Sequence, residues 1–120
     1  MQTVQQPGSL ILTGFVTATG TVSLVAAGIN TKGVIITNTT FSWFLGAVNS
    51  TLAANIQGGG AGEFCHSIYD DNGAAGPINI PRGAGPFENR MMFAPGGAIL
   101  FNAVIAGTVR CAYSCCVRIL

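Results

Sequence analysis

The most regular pattern in the sequence lies near the C-terminal end, where apolar side chains recur at every second position. The six apolar positions of this series are Val109, Cys111, Tyr113, Cys115, Val117 and Ile119. A period of two is typical of a β-strand that buries one face. A shift of one residue would bury Arg110 and Arg118 instead. We therefore predict a central or near-central strand whose Cys111, Tyr113 and Cys115 side chains face the core.

Other segments with strand patterns precede this one. They are residues 10–16, 22–26, 34–40 and 98–105. Residues 41–48 either continue the strand of residues 34–40 or turn back from it. Because a short Ala106-Gly107 turn separates the last of them from the C-terminal strand, we expect those two to form a hairpin.

Gly and Pro residues concentrate between residues 58 and 97, which indicates loops in that region. Within it, residues 78–80 form a short edge strand at most, because a proline flanks them on each side. The best helix candidate, residues 47–56, is interrupted by Asn, Ser and Thr, so at most one short helix is expected.

Roughly seven or eight short strands separated by turns predict an all-β fold. We expect a single β-sandwich or jelly-roll domain, or a small barrel, over residues 1–120, with a Gly/Pro-rich loop region that carries binding or subunit contacts. A chain of 120 residues buries about two thirds of its unfolded surface, so it needs no disulfide to compensate for a small core.

Charged residues are scarce, with five basic and four acidic side chains making up 8% of the chain, against about 25% in an ordinary soluble domain. The net charge of +1, without a cluster of Lys or Arg, removes the electrostatic basis for binding nucleic acid or an anionic membrane. The longest apolar stretch, residues 98–109, contains Asn102 and Thr108 and is shorter than the roughly 20 residues of a transmembrane helix. The first ten residues lack the basic start of a signal peptide, so we expect an intracellular site of synthesis.

The scarcity of charge also bears on assembly. Lys32 is the single charged residue among residues 1–62, which are rich in Thr, Ser, Asn and Gln. Such a surface is suited to subunit contacts, because its burial desolvates little charge. The mean hydropathy of +0.54 would leave a free monomer poorly soluble. We therefore predict a homo-oligomer whose interface includes part of residues 1–50.

The four cysteines and His66 have the residue types of a zinc site but not its spacing. On a strand, Cys111 and Cys115 lie about 13 Å apart, and the adjacent Cys115 and Cys116 point to opposite faces. We expect no metal. A disulfide between Cys65 and one of the other three stays open from sequence, although free thiols are expected in a chain without a signal peptide.

The sequence offers little catalytic chemistry. His66 is the single histidine, and no nucleophile elbow or spaced carboxylate pair is present. Residues 58–62 (GGGAG) lack the Lys-Ser/Thr of a phosphate loop. Residues 69–73 (YDDNG) depart from the calcium-loop spacing and are explained by an Asn-Gly turn. We expect no enzymatic activity and no cofactor.

Phe41, Trp43 and Phe44 form the one aromatic cluster. Stacked aromatic side chains hold sugar rings in lectin-like sandwiches, but packing in a core or an interface is the commoner role. Both interpretations are kept at this stage.

Two segments, 30–36 (NTKGVII) and 93–101 (FAPGGAILF), carry a resemblance to known proteins. A glycine-initiated, β-branched strand after a polar turn, and a Pro-Gly-Gly turn entering a strand, resemble small tailed-phage virion proteins of the β-sandwich or jelly-roll kind. Proteins of that family decorate capsids or belong to tail and fibre assemblies, usually as trimers. The resemblance implies a location in the virion and a trimeric state.

Two functions are therefore expected as alternatives. The first is a non-enzymatic structural protein that oligomerises and binds a phage capsid lattice, through the major capsid protein or another virion protein, as a decoration or cement protein. The second is a tail-tip or fibre module that grips a cell-surface glycan with Phe41, Trp43 and Phe44. The first predicts aromatic side chains packed against protein, and the second predicts them exposed in a groove.

Overall fold

Nine strands make up the fold in the computed structural model, which describes residues 10–58, 64–76, 78–88 and 90–120, without the side chains of residues 64 and 65. The strands are β1 (Leu10–Val16), β2 (Gly20–Val25), β3 (Val34–Leu45), β4 (Thr51–Gly58), β5 (Phe64–Asp71), β6 (Arg82–Phe87), β7 (Met91–Phe93), β8 (Ile99–Ala106) and β9 (Val109–Ile119). Within those ranges there is no helix, and so none that is long and apolar enough to cross a membrane.

The strands form two antiparallel sheets that pack as a β-sandwich. The five-stranded sheet has the order β1-β9-β3, and both β6 and β7 pair with the far side of β3. The four-stranded sheet has the order β2-β8-β4-β5. The prediction of an all-β sandwich is confirmed.

The position of the C-terminal strand is also confirmed, because β9 pairs with β1 on one side and with β3 on the other. Cys111, Tyr113 and Cys115 are at most 7% exposed and belong to the core, whereas Arg110 is exposed. The ring of Tyr113 lies over Gly14 of β1, where an added Cβ would come within 2.5 Å of the Tyr113 hydroxyl oxygen. The alternation along β9 therefore correctly predicted both the strand and the face that it buries.

The core between the sheets is built around aromatic rings from both layers. Phe101 of the four-stranded sheet stacks on Tyr113 of the five-stranded sheet, with ring centroids 4.4 Å apart. The ring centroids of Phe41 and Phe101 lie 6.1 Å apart, and neither phenylalanine has exposed surface. These contacts across the layers hold the two sheets together.

The predicted hairpin between the last two strands is wrong. Strand β8 lies in the four-stranded sheet and β9 in the five-stranded one, so the connection between them crosses from one sheet to the other. Contacts from the β3–β4 loop hold this crossing: the Thr108 N–H donates to Ser50 Oγ at 3.0 Å and the Gly46 N–H donates to the Thr108 carbonyl at 2.6 Å. Both strands bury alternate residues, and that pattern does not reveal whether they share a sheet.

The middle of the chain contains more strand than the sequence suggested. Strand β4 occupies most of the helix candidate and buries Leu52, Ala54 and Ile56. Residues 41–45 continue β3, while residues 78–80 are not a strand. Three strands, β5, β6 and β7, lie in the Gly/Pro-rich region that was expected to be loops. Of the glycine-rich run 58–62, residues 59–62 lie outside the described part of the chain.

Candidate functional site

The three aromatic residues singled out from the sequence do not share one surface. Phe41 is fully buried in the core, and Trp43 points to the same side of β3 but is half-buried near the end of the strand. Phe44 has the opposite parity and lies on the outer face. Trp43 and Phe44 nevertheless both border a shallow cleft on the five-stranded sheet.

The cleft has a volume of about 180 Å³. Ser42 of β3 pairs with Ala112 of β9 on one side and with Gly83 of β6 on the other, so small residues cross three strands in one row. The next row, which pairs Phe44 with Arg110, has large side chains, and both line the cleft. The remaining lining residues are Trp43, Pro81 and Arg82. The difference in side-chain size between neighbouring rows forms the depression.

Arg110, which lines the cleft, also contacts an aromatic ring outside it. Its guanidinium carbon lies 4.4 Å from the ring centroid of Phe15 on β1, a cation–π geometry. Among the described residues no carboxylate pairs with Arg110. One wall of the cleft therefore includes an arginine whose positive charge is not neutralised by an acidic side chain within the described residues.

The other arginine at the cleft is neutralised. Arg82 forms an ion pair with Asp70 of β5, and Trp43 Nε1 donates to the same carboxylate oxygen at 2.7 Å. Burial raises the pKa of Asp70, but hydrogen bonds from Trp43 and Arg82 outweigh it and hold the pKa below its ordinary value of 3.8. Since Arg82 and Asp70 lie in different sheets, this pair ties the sheets together at one edge of the sandwich.

His66 makes a second connection along that same edge. Its ring stacks on Phe87 of β6, with centroids 4.8 Å apart and planes 10° from parallel. Burial lowers the pKa of His66 below its ordinary value of 6.5. The histidine therefore acts as a packing residue that joins the two sheets.

The outer face of the four-stranded sheet has a different character. Its outward positions are mainly Thr, Ser, Asn and Gln, and Asp71 is the described side chain on this face that is charged at neutral pH. Across three strands, Thr21 Oγ1 donates to Asn102 at 2.8 Å and Asn102 Nδ2 donates to Asn55 at 3.2 Å. The adjacent row contains Val104, which is 62% exposed, and Tyr69, which is 70% exposed. We call the outward-facing side chains of β2, β8, β4 and β5 the uncharged face. It mixes polar and apolar side chains and carries almost no charge among the described residues.

In the acidic segment of residues 69–73, carboxylate oxygens of both aspartates bind other groups of the protein. Asp71 Oδ1 accepts from the Gly73 N–H at 2.7 Å, and Asp70 binds Arg82 and Trp43 as described. Among the described residues, no group of three or more His, Cys, Asp or Glu side chains comes together. Gly73 has a φ of 65°, but the turn itself lies at Ala74 and Ala75, because Asn72 is buried and its N–H donates to the Ser50 carbonyl.

The C-terminal cysteines are packing residues of the sandwich. Cys111 and Cys116 carry free thiols, and burial raises the pKa of Cys111 to about 11. Cys115 is 1% exposed within the core. The side chain of Cys65, the candidate partner for a disulfide, lies outside the described side chains.

Two features of the surface were missed from the sequence. Arg110 was identified only as an outward-facing residue of its strand, because its partner Phe15 comes from a distant strand. The uncharged face combines residues of four strands and was signalled only by the scarcity of charge in residues 1–62. Parity along each strand gives the outward positions, but the strand order is needed to join them into a surface.

In the comparisons with known proteins, no family model matches the chain and no curated protein matches it.

Proposed function

We propose that this chain is a non-enzymatic structural protein of a phage virion, which oligomerises and binds a capsid lattice as a decoration or cement protein. The observation that carries the proposal is the uncharged face, where the outward side chains that the structure describes on four adjacent strands include one charge, Asp71. A decoration protein needs many symmetric copies and a surface that associates without desolvating charge.

The uncharged face is suited to contact between copies of the chain. Val104 and Tyr69 supply exposed apolar surface, and the hydrogen-bonded row of Thr21, Asn102 and Asn55 presents polar groups that are already oriented. Interfaces of this kind combine an apolar centre with satisfied polar groups around it. Of the interface predicted within residues 1–50, this face contains the outward residues of β2, and the trimeric state is proposed from the phage resemblance.

Light scattering at micromolar concentration tests the oligomer. The wild-type chain is expected at about three times its mass of 12.3 kDa. Val104→Glu places a charge in the centre of the uncharged face and is expected to give monomers. Met92→Glu is the matched control, because Met92 is 65% exposed but lies on the five-stranded sheet. A wild-type monomer that stays soluble on concentration would overturn the proposal, and so would equal behaviour of the two variants.

Cosedimentation tests the lattice function. The wild-type chain and Met92→Glu are expected to sediment with assembled capsids of the same virus in a saturable manner, whereas Val104→Glu is expected to stay in the supernatant. If the chain forms oligomers that do not bind these capsids, the proposed assembly surface is kept and the decoration function is contradicted.

The cleft favours a second candidate, a tail-tip or fibre module that binds a cell-surface glycan. Phe44 borders the cleft as a half-buried ring and Ser42 adds an exposed hydroxyl, while Trp43 lines the cleft from the side of β3 that faces the core. Aromatic surface beside a polar group is the usual composition of a small binding site. Phe41, which was expected to share this role, is in the core. Glycan binding that is lost in Phe44→Ala, with oligomerisation unchanged, is the result expected from this function.

A further inference from the structure

We infer that the cleft bordered by Phe44 and Arg110 binds a six-membered sugar ring that carries a carboxylate, as in an acidic monosaccharide unit of a glycan. The inference rests on the second proposed function, glycan binding, and adds the chemical class of the ligand. It is carried by the shape of the cleft and the charge on its wall.

The size of the cleft sets the size of its ligand. Its volume of about 180 Å³ lies below the range of roughly 300 to 1,000 Å³ that holds a drug-sized molecule. One ring with its substituents is a suitable occupant. The row of Ala112, Ser42 and Gly83 is low enough for that ring to lie against the sheet.

The charge at the cleft selects an anion. Arg82 is neutralised by Asp70, but Arg110 has no carboxylate partner among the described residues. Its contact with Phe15 restricts the guanidinium group before any ligand arrives, so less rotamer freedom is lost on binding. A guanidinium group binds a carboxylate through two parallel hydrogen bonds, which discriminates a carboxylate from a hydroxyl.

The other lining residues select a ring over a simple anion. Phe44 lies beside Arg110 in the same cross-strand row and is half-buried, so it offers an apolar surface next to the charge. The Ser42 hydroxyl is both a donor and an acceptor for sugar hydroxyl groups. A ligand that satisfies all three residues has an apolar ring face, a carboxylate and hydroxyl groups.

A titration followed by NMR of backbone amides tests the inference, with methyl glucuronide, methyl glucoside and acetate as three separate probes. The glucuronide is expected to shift the signals of Ser42, Phe44 and Arg110 in a saturable manner. The glucoside has the same ring without the carboxylate, and acetate has the carboxylate without the ring. Both are expected to bind at least about tenfold more weakly, because each lacks one of the two interactions.

Variants assign the effect to the charge. Arg110→Gln is expected to weaken glucuronide binding about tenfold and to leave glucoside binding unchanged. Arg118→Gln is the matched control, because Arg118 lies on the same strand and the same face but outside the cleft. Proton NMR spectra of both variants show whether the fold is kept.

Each alternative outcome has a distinct meaning. Equal binding of glucoside and glucuronide would overturn the acidic ligand but keep glycan binding. Acetate binding as strong as glucuronide binding would show an anion site without ring recognition and would overturn the inference. Glucuronide binding that Arg110→Gln does not weaken would also overturn it. Absence of saturable shifts at the cleft with every probe would contradict both the inference and the glycan-binding function.

Discussion

The carboxamide nitrogen of Asn30 lies 2.8 Å from the carbonyl oxygen of Gly97 and donates a hydrogen bond to it. The same nitrogen donates to the Ala94 carbonyl at 2.9 Å, and Asn30 Oδ1 accepts from the Gly33 N–H at 3.0 Å. Asn30 is completely buried. One side chain therefore satisfies three backbone groups and joins the loop before β3 to the loop before β8.

Replacing Asn30 with alanine is expected to lower the free energy of unfolding by about 2–4 kcal/mol. The variant removes three hydrogen bonds made by a fully buried side chain, and it leaves the buried Gly33 N–H without its Asn30 acceptor. Urea denaturation followed by the fluorescence of Trp43, the single tryptophan, measures the change. Thr31→Ala is the control, because the neighbouring Thr31 is exposed. A loss below about 1 kcal/mol in Asn30→Ala would contradict the role of this residue as a clamp.

Asn30 also shows where sequence patterns stop being informative. The segments 30–36 and 93–101 attracted attention for their turn residues, and the structure brings their turns together through Asn30. Nothing in the local pattern distinguishes a buried asparagine from one in an exposed turn, since both favour the same backbone. Strand β9 was predictable because alternation is a local property. The assignment of β8 and β9 to different sheets depends on pairing with distant strands, which alternation does not encode.

The candidate site, like the fold, was predictable from the sequence only in part. Rare residue types drew attention to Trp43 and Phe44, which border the cleft. The charge beside them comes from Arg110, and its orientation comes from Phe15 on another strand. Composition identified a surface poor in charge, but the uncharged face became visible only with the strand order of its sheet.

Thr39→Val is expected to stabilise the fold by about 1 kcal/mol. Thr39 has no exposed surface, and its hydroxyl oxygen has no hydrogen-bond partner among the described residues. Valine has nearly the same shape and strand preference, so the change removes an unsatisfied polar atom without leaving a cavity. Chemical denaturation at neutral pH measures the gain.

Thr37→Val provides the comparison for this result. Thr37 lies on the same strand and is 9% exposed, but its hydroxyl donates to the Glu88 carbonyl at 3.1 Å. This variant is expected to lose about 1 kcal/mol. Destabilisation of the same size in both variants would mean that the Thr39 hydroxyl has a partner, such as an ordered water molecule.

Stability is expected to fall as the pH is lowered from 7.5 to 5.5. Burial lowers the pKa of His66 from its ordinary value of 6.5, so the unfolded chain binds a proton that the folded chain disfavours. The contribution of the neutral imidazole is complete above the unfolded pKa and is lost progressively as the pH falls from that value through the lower pKa of the folded state. His66 is the single histidine, so few other groups titrate in this window.

The denaturation midpoint of His66→Asn at the two pH values checks this assignment. His66 has a φ of 53°, a left-handed conformation that asparagine accepts more readily than most residues. The variant loses the ring stacking on Phe87, so a lower stability at both pH values is expected. The difference between pH 7.5 and 5.5 should nevertheless become small. A pH dependence equal to that of the wild type would show that another group causes it.

The last prediction concerns the thiols of the C-terminal strand. Cys111 has no exposed surface, and burial raises its pKa to about 11, so at pH 8 only about one thiol in a thousand would be ionised. Because the thiolate is the reactive form, Cys111 should resist iodoacetamide for as long as the fold persists. Intact mass after alkylation of the native protein, followed by peptide mapping, measures this protection.

Alkylation in denaturant without a reductant then examines Cys65. If all four cysteines are unbridged, four groups are added once the fold is removed, because every thiol becomes accessible. Two added groups would reveal a disulfide and contradict the expectation of free thiols. Cys111 and Cys116 are free in the structure, and Cys65 is one candidate for a bridged residue. Peptide mapping would identify the two cysteines of any bridge found in this way. Rapid labelling of Cys111 in the native protein would instead mean that β9 opens locally, and hydrogen exchange at the Tyr113 amide would then report a similarly low opening free energy.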